Sequence, residues 1–129
     1  MKAKKKAGKA VKERTLIIDR KVWLRGESDS ALLRGKDGKR CCVGVYLKAL
    51  RVKDPYMLEV GRADMVRCGL PGEAKWLDSA NDFQAIAWDL YGINDSPSVL
   101  PRKREASVRR LFAKATPVPV KVKFVGRSK

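Results

Sequence analysis

At 129 residues the chain has the length of one domain, and 44% apolar residues are enough to bury a core without disulfide or metal staples. It contains no histidine, which removes every mechanism that needs a histidine base, Ser–His and Cys–His pairs included. The formal net charge is +16, the three cysteines form neither a disulfide framework nor a zinc-ligand spacing, and no apolar run approaches the ~20 residues of a membrane span.

In chain order, residues 1–14 come first. Lys2, Lys4, Lys5, Lys6, Lys9, Lys12 and Arg14 stand there against Glu13 alone. With so little to bury, this stretch reads as a disordered basic tail ahead of a single domain over residues 15–129. Residues 15–24 (TLIIDRKVWL) are rich in β-branched and aromatic side chains and predict a strand, with Ile18, Val22 and Leu24 on one face beside the stem of Arg20. Arg25-Gly26-Glu27 ends it. Residues 31–34 and 39–41 flank Gly35-Lys36-Asp37-Gly38, the composition of a tight hairpin.

Val43, Tyr46, Leu47 and Leu50 share one helix face, which Cys42, Val45 and Ala49 widen, so this helix should be central. Asp54-Pro55 should stop it. Residues 55–75 lack periodicity and read as irregular. Ser79 or Asn81 can cap a second helix with Phe83, Ile86, Ala87 and Leu90 inward, Gly92 as its terminator and a polar turn over residues 93–97. Pro101 suits the first position of a third helix, in which Val108, Leu111, Phe112 and Ala115 face the core. Lys103, Arg110 and Lys114 lie on its other side, beside Arg102 and Arg109. Val118, Val120, Val122 and Phe124 alternate with Pro119, Lys121, Lys123 and Val125 in a closing half-buried strand. The expected fold is α+β: a small antiparallel sheet holding the N- and C-terminal strands, with about three helices packed on one face.

At this point the motifs resemble a family of small uncharacterised bacteriophage and prophage proteins. They are WLRGE at residues 23–27, Leu32-Leu33-Arg34, GKRCCVG at residues 38–44, Asn94-Asp95, Arg104-Glu105-Ala106, Leu111-Phe112-Ala113 and Phe124-Val125-Gly126. The resemblance spans about residues 15–126 and implies expression in the cytoplasm of an infected bacterial cell. It brings no activity with it. The lysine-rich tail is an addition to that pattern, and Ser96 follows Asn94-Asp95 where related sequences carry a second acidic residue.

Function follows mainly from where the charge sits. Residues 102–129 hold ten basic side chains against Glu105, whereas residues 15–101 hold thirteen against twelve acidic ones. Cation clusters gain counterion-release entropy on a polyanion of any sequence. The tail, Arg102, Lys103, Arg109, Arg110, Lys114, Lys121 and Lys123 therefore predict non-specific nucleic-acid binding, against the ordinary alternatives of a solubilising tail and a solvated helix face. Two other readings stand beside it: a host-takeover or counter-defence protein that binds a bacterial protein through its neutral middle, and a binder of a small anionic nucleotide. The latter would use a polar pocket of Arg25, Glu27, Arg34 and Asp95, residues that elsewhere serve to fix turns. Cys41 and Cys42 sit where a helix dipole favours a thiolate, but core packing is the stronger reading because no base is at hand. Trp76, Trp88 and Tyr91 have the chemistry to stack on bases, with Trp88 assigned to the core. No catalytic constellation, metal site or cofactor motif is visible, so the expectation is a non-enzymatic protein.

Overall fold

Leu16 and Ile18 alternate with Thr15 and Ile17, and this period of two forms strand β1 (Arg14–Asp19) with the first pair buried. Val120 and Val122 do the same in β2 (Val120–Val125), with Lys121 and Lys123 outward. The structure, a computed structural model, describes residues 13–27, 30–78 and 84–127, so all of the expected tail except Glu13 and Arg14 lies outside the described residues. β1 and β2 pair in parallel, with Leu16 opposite Val122 and Ile18 opposite Phe124. Arg14 belongs to this ladder, its N–H donating to the Pro119 carbonyl at 2.9 Å.

The antiparallel sheet is therefore not formed, and among the described residues the sheet has only this parallel pair. The reason lies in residues 31–34. Ala31, Leu32, Leu33 and Arg34 are all buried, so this segment is enclosed on every side and presents no solvent face. Its backbone bonds go to different partners in turn. Leu32 N–H donates to Val60 at 2.8 Å and Arg34 N–H to Lys39 at 2.8 Å, while Ala31 and Leu33 accept from Cys41 and Glu59. The turn over Gly35-Lys36-Asp37-Gly38 does close, with Gly38 at φ 72°, but no ladder grows from it. β1 also ends earlier than expected. Val22 N–H turns back to the Asp19 carbonyl at 3.1 Å, which leaves Val22 47% exposed and not on the face of Ile18.

Helix α1 (Cys42–Ala49) buries Cys42, Val43, Gly44, Tyr46 and Leu47, while Ala49 is exposed. Gly44 is required, because a Cβ there would overlap the Leu32 carbonyl group. Arg51, left-handed at φ 71°, ends α1: Val52 N–H bonds to Leu47 O at 3.0 Å and Arg51 N–H to Lys48 O at 2.9 Å. Asp54-Pro55 does not stop α1 but opens α2 (Asp54–Met57), since proline suits a first helical turn. Two 3-10 turns follow, Ala63–Met65 and Gly72–Leu77.

Helix α3 (Gln84–Asp95) runs past Gly92 and takes in the first three residues of the expected polar turn, and its last turn buries Asn94. The cap candidates Ser79 and Asn81, and Phe83, lie outside the described residues. Helix α4 (Pro101–Phe112) buries Val108, Leu111 and Phe112, packing on both α3 and β2. Tyr46, Trp76 and Phe112 meet at ring-centroid distances of 5.3–5.7 Å and join α1, the 72–77 turn and α4. Among the described residues no helix is long and apolar enough to cross a membrane.

Candidate nucleic-acid interface

At 100° per residue, the outer arc of α4 carries Arg102, Lys103, Arg109 and Arg110 across roughly 120°, with Lys114 just past the helix end. All five are exposed. They do not form one flat stripe. Arg109 leans over β2, its guanidinium 5.0 Å from the Phe124 ring centroid, and shares a surface depression with Lys121. Arg110 lies on the opposite flank, beside Trp88 and Asp89 of α3. Arg102 falls on the Arg109 side by helix phase, and Lys103 and Lys114 on the Arg110 side. Lys123 continues the outward row of β2.

The basic residues divide by partner. Arg14 pairs with Glu73, Arg20 with Glu105 through two 2.7 Å bonds, Arg34 with Glu27 and Asp37, and Arg40 and Lys48 both with Asp54. The Arg34 hydrogen bond holds the Asp37 carboxyl down to about 2. By contrast, among the described residues no carboxylate lies within ion-pair distance of Arg102, Lys103, Arg109, Arg110, Lys114, Lys121 or Lys123. Six of the expected tail contacts, Lys2 to Lys12, lie outside the described residues, and Arg14 is committed to Glu73.

The four residues expected to share a polar pocket are dispersed. Arg34 is buried in the turn network with Glu27 and Asp37. Asp95 accepts from the Asn94 amide at 2.9 Å. Arg25 lies 4.5 Å above the Trp23 ring and donates to the Arg20 and Trp23 carbonyls. Arg25 and Glu27 do line a common cleft of about 450 Å³, but with Lys21, Lys39 and Arg104 rather than with Arg34 and Asp95.

Two further residues shape this region, Arg104 and Asn94. Arg104 precedes Val108, Leu111 and Phe112 by four, seven and eight positions, so it lies on the buried stripe of α4, and a cation on an apolar face is a signal in itself. Gly92 reads as a helix end in the sequence and so places Asn94 in a loop, yet Asn94 lies within α3. Its Oδ1 accepts from Trp23 Nε1 at 2.8 Å and Cys42 N at 3.0 Å, and its Nδ2 donates to the Leu24 carbonyl at 2.9 Å. The cysteines and aromatics also have definite places. Burial pushes the Cys41 thiol up to about 11 and the Cys42 thiol higher still, against the direction a nucleophile needs. Trp76 is the core tryptophan at 1% exposure, whereas Trp88, expected in the core, is 46% exposed with Arg62 over its ring.

Comparison of the chain with protein-family models, curated proteins and solved structures returned no significant match. The likeness to phage proteins rests on the motifs alone.

Proposed function

We propose that this protein is a non-enzymatic accessory protein that binds nucleic acid by its phosphates, with little sequence preference, through α4, β2 and the N-terminal lysines. The observation that carries this reading is the division of the cations. Arg14, Arg20, Arg34, Arg40 and Lys48 are each matched by a carboxylate, whereas the seven on α4, the turn after it and β2 have no ion-paired carboxylate among the described residues. A surface with so large an excess of one sign repels itself and gains by meeting a polyanion. Little sequence preference is expected because Ala106 and Ala113 stand among the cations of the α4 segment, where there is no Asn or Gln to read a base edge. The motif resemblance supports the cytoplasm of an infected bacterium as the setting.

The test is fluorescence anisotropy of labelled duplex DNA and single-stranded RNA over a salt series. Engagement of about six phosphates gives a log–log slope near −5 on duplex DNA. The triple variant K114E/K121E/K123E should flatten that slope by about three units at unchanged fold, because one counterion is released for each contact. A slope near zero for the full chain overturns the reading.

A further inference from the structure

Arg104 is a charged side chain 6% exposed, and no carboxylate pairs with it among the described residues. Its Nε donates to the Ile93 carbonyl at 3.1 Å and its Nη2 to the Ser96 carbonyl. Nη1 has no hydrogen-bond partner among the described residues, and the side chain lines the cleft shared with Lys21, Arg25 and Lys39. Burying a cation this deeply without an ion-paired carboxylate is costly, so the arrangement favours an anion.

The carboxylates nearby do not supply it. Glu105 is held by Arg20 through both oxygens, and Glu27 is held by Arg34 at 2.8 Å. Asp95 acts on Arg104 electrostatically but does not line the cleft. Lys21 and Lys39 have no ion pair among the described residues. Like charges crowd each other: burial lowers the proton affinity of Arg25, and Arg104 and Arg20 lower it further against the pull of Glu105. Pro101, the first residue of α4, stands at the rim, so the positive end of that helix adds to the same field.

We propose that this cleft binds a terminal phosphate monoester, with Arg104 Nη1, Lys21 and Lys39 as its ligating cations and Arg25 as a positive wall. A monoester carries close to two charges at neutral pH and three acceptor oxygens, which suits several converging donors better than a carboxylate or a phosphodiester does. At about 450 Å³ the cleft falls in the range of small-molecule sites and leaves room for the group the phosphate is attached to. The monoester belongs either to a free nucleotide or to the 5′ end of a nucleic-acid strand. The proposal does not depend on the α4 and β2 surface.

The test is calorimetric titration of the full-length protein with AMP, adenosine and cyclic 3′,5′-AMP, followed by an oligonucleotide with and without a 5′-phosphate. AMP or the phosphorylated oligonucleotide should bind at least about tenfold more tightly than its unphosphorylated counterpart, since a hydrogen bond to a charged group is worth that factor or more. AMP tighter than cyclic AMP assigns the site to a free nucleotide, and a preference shown only by the oligonucleotide assigns it to a strand end. K21E/K39E should lose that preference at unchanged thermal stability, while K121E/K123E should keep it. Equal binding with and without the phosphate in both pairs, or a preference that survives K21E/K39E, overturns the proposal. Arg104 is left intact in these variants because it also holds the Ile93 and Ser96 carbonyls.

Discussion

Asn94 joins three of the sequence motifs through one side chain. Trp23 and Leu24 of the WLRGE segment and the Cys42 amide of GKRCCVG all end on its amide group, and its own carbonyl accepts from Gly26 N–H at 2.7 Å. The Cys42 N–H is one of the four that the start of α1 leaves without an intrahelical partner, so a residue 52 positions away caps that helix. Motifs that looked like a polar site on sequence grounds are thus largely spent on one another. Replacing Asn94 with Ala strands two buried donors and one acceptor at 1% exposure. The expected cost is about 3 kcal/mol or more, read as a lower urea midpoint, because each unsatisfied group forfeits its desolvation penalty. Asn94→Asp should do no better, since it places a buried carboxylate oxygen where Nδ2 faces the Leu24 carbonyl.

Where elements begin and end, two local devices make testable demands. Arg51 closes α1 in a left-handed conformation that costs an L-residue about 1–2 kcal/mol, so Arg51→Gly should raise the melting temperature by a few degrees. The Arg20–Glu105 pair ties the turn after β1 to α4, and Arg20 also donates to the Gly126 carbonyl at 2.8 Å. The Arg20 hydrogen bond depresses the Glu105 carboxyl below its ordinary value of 4.5. A depressed carboxylate stabilises the fold above its unfolded-state value and stops doing so as pH falls through the folded one. Glu105→Gln should therefore cost about 2 kcal/mol at pH 7, with the deficit against the parent shrinking below pH 4.5 in pH-resolved denaturation. The helices were legible in the sequence because Val43, Tyr46 and Leu47, and again Val108, Leu111 and Phe112, state a local period that burial enforces. The strands were legible singly but not in their pairing. Nothing in the pattern of Leu16 and Ile18 says that their partners lie beyond residue 119, or that the buried run at residues 31–34 packs without a ladder. The exposed cations of α4 and β2 could be placed from that same period, whereas the cleft could not, because only the turn after β1 brings Lys21 against the first turn of α4.

Over the whole molecule, the order of the elements sets how the chain must close. Arg14 pairs with Val120, so the parallel ladder joins the two ends of the described chain and everything between them is the crossover. Bringing together strands about a hundred residues apart carries the full loop-closure entropy, unless the intervening helices have already formed and shortened the gap. α3 and α4 are neighbours in sequence and pack on each other, so their contacts cost far less chain entropy. The helical pair should therefore be structured in the folding transition state and the ladder should form after it. Ile18→Val and Val122→Ala remove buried volume from the ladder and should cost about 1 and 2 kcal/mol, appearing almost wholly as faster unfolding. Val108→Ala, on the buried face of α4, should cost a similar amount and appear mainly as slower folding. Stopped-flow chevrons in urea separate the two classes. If the ladder variants slow folding as much as Val108→Ala does, the ends meet first and the helices condense onto a preformed strand pair.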